Sequence, residues 1–304
     1  PVCTEKEKDF YNNTMGSRDV FREQPMEGLL QQVSMQGSIF EEGFMSILYH
    51  YCGEQAFFSI LQNQIIRLSD ITKSNDKNEL KTIYLLYKEQ LQKVGEKTSR
   101  VDAAINRIDT KSCWCFCLSE QRDLLSQWRG YADDGAGYNI GFDGDIIDEA
   151  LKKIKSCLDI ELKRVKYLSS LSKDNLFPFD DRFELAVYAL AAEYKTSFFS
   201  EEKEWRIIGS SEQLAFWSEK QEEYTEYIKD FGASEHFKVG FLSNMKSFIE
   251  IPFSLLNNPV REIVIGPKNK ATILDVRRYL VHTGLLASLT DKSIMVSKSI
   301  GSFR

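Results

Sequence analysis

Residues Cys113–Asp143, CWCFCLSEQRDLLSQWRGYADDGAGYNIGFD, decide the fold. The opening run alternates cysteine with Trp114, Phe116 and Leu118. In a strand this puts Cys113, Cys115 and Cys117 on one face and the large apolar side chains on the other. QRDLLSQWRGYA has the spacing of a short helix ending near Gly130, and GAGYNIGFD returns as a strand after a glycine-containing turn.

Cysteine at every second position raises the question of a metal. Alternate strand positions lie about 7 Å apart, whereas thiolates on one zinc sit within about 4 Å of each other. Three ligands from one flat strand therefore fit poorly. Free cysteine packs as a small hydrophobe, so a buried strand with reduced thiols and no metal is expected. The six cysteines are Cys3, Cys52, Cys113, Cys115, Cys117 and Cys157, and a chain of this length does not need disulfides.

Outward from this stretch, FMSILYHYC (Phe44–Cys52) reads as a buried strand and GEQAFFSILQNQ as a helix with Ala56, Phe57, Ile60 and Leu61 on one face. IIRLSDI is a second strand. Asn75–Lys97 has helical spacing, with Asn75 or Asp76 as its cap. Residues 145–157, 180–200 and 212–230 read as helices, as does KATILDVRRYLVHTGL. EWRIIGS, FKVGF, KSFIEIPF, VREIVIGP and KSIMVSKS read as strands. Residues 1–42 form a polar arm, within which FREQPMEGLLQQVSMQ suits a short helix. No repeat or Pro- or Ser-rich linker interrupts the rest. The pattern predicts one α+β domain over 43–304 with a mixed, mostly antiparallel sheet.

The 304 residues are 42% hydrophobic and 12% aromatic, enough for a substantial core. Thirty-nine Lys and Arg against 45 Asp and Glu give a net charge of -6, so no global basic field draws in nucleic acid. No apolar run approaches the roughly 20 residues that span a bilayer, and PVCTEKEKDFYNN has no apolar signal core. A cytoplasmic protein with no membrane partner is the expectation.

The polar block after CFCL contains Ser119, Arg122, Asp123, Trp128, Arg129 and Tyr131. One reading is a solvated helix. The other is a stacking wall of Trp128 and Tyr131 beside anion-binding Arg122 and Arg129, which suits a nucleotide. His50 ends an apolar β-run, where a hydrogen-bonded core role competes with a functional one. Glu204 alternates with Arg206 on the face opposite Trp205 and Ile207, either at a solvated strand entry or facing a cleft. No histidine has metal-ligand spacing, and no P-loop, GxGxxG or GxSxG motif occurs.

The blocks LYHYCGEQAFFSILQNQIIRLSDITKSND, CFCLSEQRDLLSQWRGYADDGAGYNIGFD, EKEWRII and VREIVIGPK, spread over residues from about 46 to 270, resemble the bacterial family called domain of unknown function 2971. That family name supplies no activity. A strand ending in H-x-[TC], a helix ending in an NQ turn and a strand beginning IIRLS also resemble the entry to the ADP-ribosyltransferase fold, particularly its DNA-targeting toxin branch.

The second resemblance implies an ADP-ribosyltransferase-like core with helical insertions and NAD as substrate. It gives His50 a ribose contact, with Tyr51 beside it and Cys52 where a threonine or serine is usual. It makes Glu204 the late-strand glutamate that stabilises an oxocarbenium-like ribose. Arg67, Arg122 or Arg129 would hold the pyrophosphate, Trp128 or Tyr131 would stack on nicotinamide or a target base, and Ser119 joins the NAD contacts. The implied activity releases nicotinamide and passes ADP-ribose to a nucleic acid, a protein or water, in bacterial defence or toxin action. Two other classes stay open: a non-catalytic nucleotide or nucleic-acid sensor that does not need Glu204, and a metal-independent nuclease with His50 as general base.

Overall fold

The computed structural model describes residues 47–73, 78–108, 113–153, 159–171, 187–188, 190–210, 238–241 and 246–301. The expected arm over 1–42 and the expected helix over 212–230 lie outside the described residues. In chain order the strands are β1 (Ile47–Cys52), β2 (Ile65–Asp70), β3 (Cys113–Ser119), β4 (Tyr138–Asp143), β5 (Asp159–Arg164), β6 (Lys166–Leu168), β7 (Tyr194–Thr196), β8 (Glu204–Ser210), β9 (Lys238–Phe241), β10 (Ser247–Pro252), β11 (Val260–Ile265) and β12 (Met295–Lys298). The helices used below are α1 (Glu54–Asn63), α2 (Thr82–Lys93), α3 (Ser99–Arg107), α4 (Leu125–Tyr131), α5 (Gly144–Lys153) and α6 (Ile273–His282).

The cysteine strand β3 is the stem of the sheet. Its whole length pairs with β8, from Cys113 opposite Ser210 to Ser119 opposite Glu204, and β5 lies beyond β8. A strand has two edges, and β8 fills one of them. The other edge is shared: β1 meets β3 at Tyr49 opposite Ser119, while β2 meets it at Ser69 opposite Cys115 and Asp70 opposite Trp114. The sheet therefore forks, and Phe116–Leu118 face the gap between β1 and β2. One arm continues through β1, β4, β11 and β12, the other through β2, β10 and β9. Every pairing in this sheet is antiparallel except β11 with β12. The mixed, mostly antiparallel α+β architecture read from the sequence is the one that forms.

Alternation on β3 divides the interior. Trp114, Phe116 and Leu118 join Phe57, Phe142, Ile207, Ile249 and Ile263 in the larger core. Cys113 and Cys115 face the other way, with Ile208, Ile83, Tyr84 and Tyr87. A third cluster of Tyr49, Tyr51, Trp128 and Val264 packs beneath α4. At the entry to β4 only glycine fits at position 137, because a Cβ there would lie 2.3 Å from the Cys52 carbonyl oxygen.

Three local expectations need correction. The helix expected over Asn75–Lys97 ends at Lys93, where Gly95 at φ +77 turns the chain into α3. Val101, Ala104, Ile105 and Ile108 of that second helix carry i, i+3, i+4, i+7 spacing and pack on α2. The helix expected over 180–200 gives way after Leu190, whose carbonyl accepts from Glu193 N–H, to β7 and a 3-10 turn at Ser197–Glu202. Burial of Tyr194 and Lys195 beside parallel β6 outweighs the helical propensity of the preceding alanines. Finally, β5 and β6 are additional strands, signalled by alternating Ile160 and Leu162.

Candidate functional site

Pairing of β3 with β8 aligns Ser119, Cys117 and Cys115 with Glu204, Arg206 and Ile208, so these side chains share one face. Toward the fork that face turns from apolar to charged. Arg206, 1% exposed, donates from Nε to Glu204 Oε1 at 2.8 Å and from Nη1 to the Ala192 carbonyl at 2.8 Å, and its Nη2 lies 2.9 Å from Glu79 Oε1. Lys195 Nζ bridges Glu202 Oε2 at 2.8 Å and Glu204 Oε2 at 2.9 Å. Tyr131 Oη donates to Glu202 Oε1 at 3.1 Å, and Tyr167 Oη accepts from the Glu204 backbone N–H at 2.9 Å. Three carboxylates thus surround two cations, and half-exposed Tyr131 reaches them through its hydroxyl.

Burial alone would raise the Glu204 pKa, but Arg206 and Lys195 overcome it and hold the carboxyl at about 2, ionised at neutral pH. The Lys195 ammonium is in turn pushed upward: Glu204 and Glu202 outweigh the opposing effect of burial. Cys117 closes the floor. Unlike Cys113 and Cys115 it is exposed, which corrects the expectation of a fully buried run. Its thiol pKa is raised by desolvation and then by the adjacent Glu204 charge.

His50 reaches the same point from the other side. Like Leu48 and Cys52 it projects to the larger core, and its ring stacks on Phe116 with centroids 4.1 Å apart. On the edge of β3 away from β8 neither β1 nor β2 pairs with Phe116–Leu118, and the Cys117 carbonyl accepts from His50 Nδ1 at 2.9 Å. A carbonyl can only accept, so Nδ1 carries the proton and Nε2 the lone pair. Burial lowers the His50 pKa to about 4, partly offset by this bond. His50 and Glu204 therefore lie on opposite faces and meet through one residue, the carbonyl of Cys117 on one side and its thiol on the other.

The folded pKa of His50 lies below the unfolded value of 6.5, so the unfolded chain binds the extra proton between pH 6.5 and 4. Stability is complete above pH 6.5 and falls toward pH 4. We expect about 3 kcal/mol from this group between pH 7 and 4. In His50→Gln, whose amide can still donate to Cys117 but does not titrate, that part of the pH slope should vanish. Urea unfolding of both proteins at pH 7, 5 and 4 measures it, and parallel slopes would contradict it.

The remaining expected site residues divide. Ser119 is buried, donating to the Glu202 carbonyl at 2.6 Å and accepting from Gln121 N–H, and so ties β3 to the charge network. Trp128 is not a stacking wall: it is 1% exposed, packs edge-on against Tyr51 and donates from Nε1 to Asp123. Tyr51 is buried, with its hydroxyl donating to the Gln121 carbonyl and accepting from Leu124 N–H. Cys52 is a core side chain with its thiol pKa raised by burial. Arg122 clamps buried Glu262, with Nη2 2.7 Å from Oε1, while Tyr49 Oη donates to the other oxygen. Arg67 pairs cross-strand with Glu250 at 2.7 Å and lies over the Phe248 ring. Arg129 is exposed on α4. Glu204, Tyr131 and Ser119 come together, with His50 behind Cys117; the arginine and tryptophan assignments do not converge on them.

Lys195, Glu79 and Tyr167 are the site residues that sequence reasoning missed. Glu202, Glu204 and Arg206 share a visible alternation in SEEKEWR, but only the fold brings the other three to it. Among the described residues no group of three His, Cys, Asp or Glu side chains is placed to hold a metal ion, and no helix is long and apolar enough to cross a membrane.

Residues 127–207 match the model of a family described as a protein of unknown function, DUF2971. Over this span the chain is similar to DUF2971. The matched DUF2971 span runs from α4 to β8. It holds Tyr131, Lys195, Glu202, Glu204 and Arg206, while His50, Glu79 and Cys117 come from outside it. No curated protein and no solved structure matches the chain.

Proposed function

We propose that this protein binds NAD and cleaves its nicotinamide glycosidic bond through an ADP-ribosyltransferase-like core, passing ADP-ribose to a nucleic acid, a protein or water. The observation that carries the reading is Glu204, a buried carboxylate kept ionised by Arg206 and Lys195, one residue of a network that half-exposed Tyr131 joins through Glu202. As the ribose C1′ to nicotinamide nitrogen bond breaks, its electron pair leaves with nicotinamide, and the positive charge left on the sugar is stabilised by Glu204. The acceptor oxygen or nitrogen then attacks C1′ and loses its proton. Tyr131 offers a face to a flat ring, while His50, on the opposite face of β3, only holds the Cys117 carbonyl in place. A histidine with a pKa of about 4 is a poor general base at neutral pH, which disfavours the nuclease reading.

One feature favours a second reading, a non-catalytic nucleotide sensor: Lys195 and Arg206 already balance much of the Glu204 charge. Calorimetric titration with NAD and chromatographic measurement of nicotinamide separate the two. Binding with release of nicotinamide is the expected result. Binding without release selects the sensor, and absence of binding removes the cleavage reading.

A further inference from the structure

Beside the charge network lies a cavity of about 90 Å³ lined by Asn78, Glu79, Thr82, Lys195, Thr196 and Phe199. We infer that this cavity receives the ribose of a nucleoside, with the base laid against the neighbouring phenylalanines. The space is well above the ~10–15 Å³ that admits a single water. Five of the six lining side chains are polar, so an apolar ligand would set a surface that cannot hydrogen-bond against them. A phosphate would meet the Glu79 carboxylate and a cation the Lys195 ammonium, each of which is already held in an ion pair. A neutral group carrying several hydroxyls meets neither penalty: carboxylate, ammonium, two threonine hydroxyls and an amide together supply both donors and acceptors.

The rim identifies the rest of the ligand. Phe199 lines the cavity, and Phe198, 84% exposed, stands edge-on to it with ring centroids 5.2 Å apart. Two phenylalanines beside a hydroxyl-binding cavity suit a sugar bearing a flat ring. This goes beyond the proposed cleavage and does not require it: Glu79 and Lys195 connect the cavity to Glu204, but binding there needs no bond to break.

The test is calorimetric titration of the full chain with adenosine, nicotinamide riboside and 2′,3′-dideoxyadenosine. At least one of the two ribonucleosides should bind. Phe198→Ala should weaken that binding about fivefold or more, since stacking is lost, and Thr82→Val and Thr196→Val about three- to tenfold each. Loss of both sugar hydroxyls should weaken adenosine at least as much. Thermal unfolding checks that each variant is folded, and the exposed Phe198 serves if the buried Thr82 variant is not.

Failure of both ribonucleosides to bind overturns the inference, as does equal binding by Phe198→Ala or by the dideoxynucleoside. Release of nicotinamide from NAD without any nucleoside binding would overturn the cavity assignment and leave the cleavage reading intact. Nucleoside binding that depends on Phe198 and Thr196, with no nicotinamide released, would do the reverse.

Discussion

Arg206→Met should lower folding stability by about 3–5 kcal/mol, the cost of removing one partner from a buried ion pair. Methionine fills much of the arginine volume, so the loss is electrostatic more than steric. Arg206 touches both Glu204 and Glu79, and it also donates to the Ala192 carbonyl. Without it Glu79 loses its cation, Glu204 keeps only Lys195, and the carbonyl loses its donor. Adding Glu79→Gln to Arg206→Met should restore at least 1 kcal/mol, because the carboxylate left without a cation is then gone. Urea unfolding of the two single variants and the double variant measures this, and a loss below about 1 kcal/mol for Arg206→Met would mean that water reaches the pair. Acid acts in the same direction on Glu204. Its folded pKa, about 2, lies below its unfolded value, so its stabilisation is present above pH 4.5 and is lost as the pH falls through 2.

The alternation in CWCFCLS was enough to place β3 in the sheet and its thiols on one face, because a period of two survives any tertiary context. The same rule placed Glu204 with Arg206. What alternation cannot say is which strands share an edge. The fork arises because β1 and β2 reach β3 at different ends, and that depends on pairings between segments more than 40 residues apart. Trp128 and Arg122 were misread for a related reason. An aromatic and an arginine on a polar helix look like a ligand wall until the partners are known. Here those partners are Asp123 next to the helix and Glu262 far along the chain, and both side chains hold the α4 block onto the sheet. Lys195 was hidden inside a stretch with helical composition that becomes a strand only where it pairs with β6. Residues whose environment is set by near neighbours were legible; those set by distant strand pairing were not.

The same network fixes the second large expectation, on activity. If Glu204 stabilises positive charge on the sugar, Glu204→Gln should lower nicotinamide release about 10²- to 10³-fold, the usual loss when one electrostatic contact to a transition state is removed. Glutamine preserves shape and an acceptor oxygen, so NAD affinity should change little and the loss should fall on kcat. Arg206 keeps Glu79 and Lys195 keeps Glu202 in this variant, so no cation is left alone and the protein should remain folded. Glu202→Gln provides the contrast. It removes a carboxylate that contacts Tyr131 and Lys195 but not Arg206, and its effect should reach NAD through Tyr131 and appear mainly in KM. If Glu204→Gln released nicotinamide at the normal rate, Glu204 would be a structural counter-ion. The ionised carboxylate at the fork would then be explained by its two cations alone.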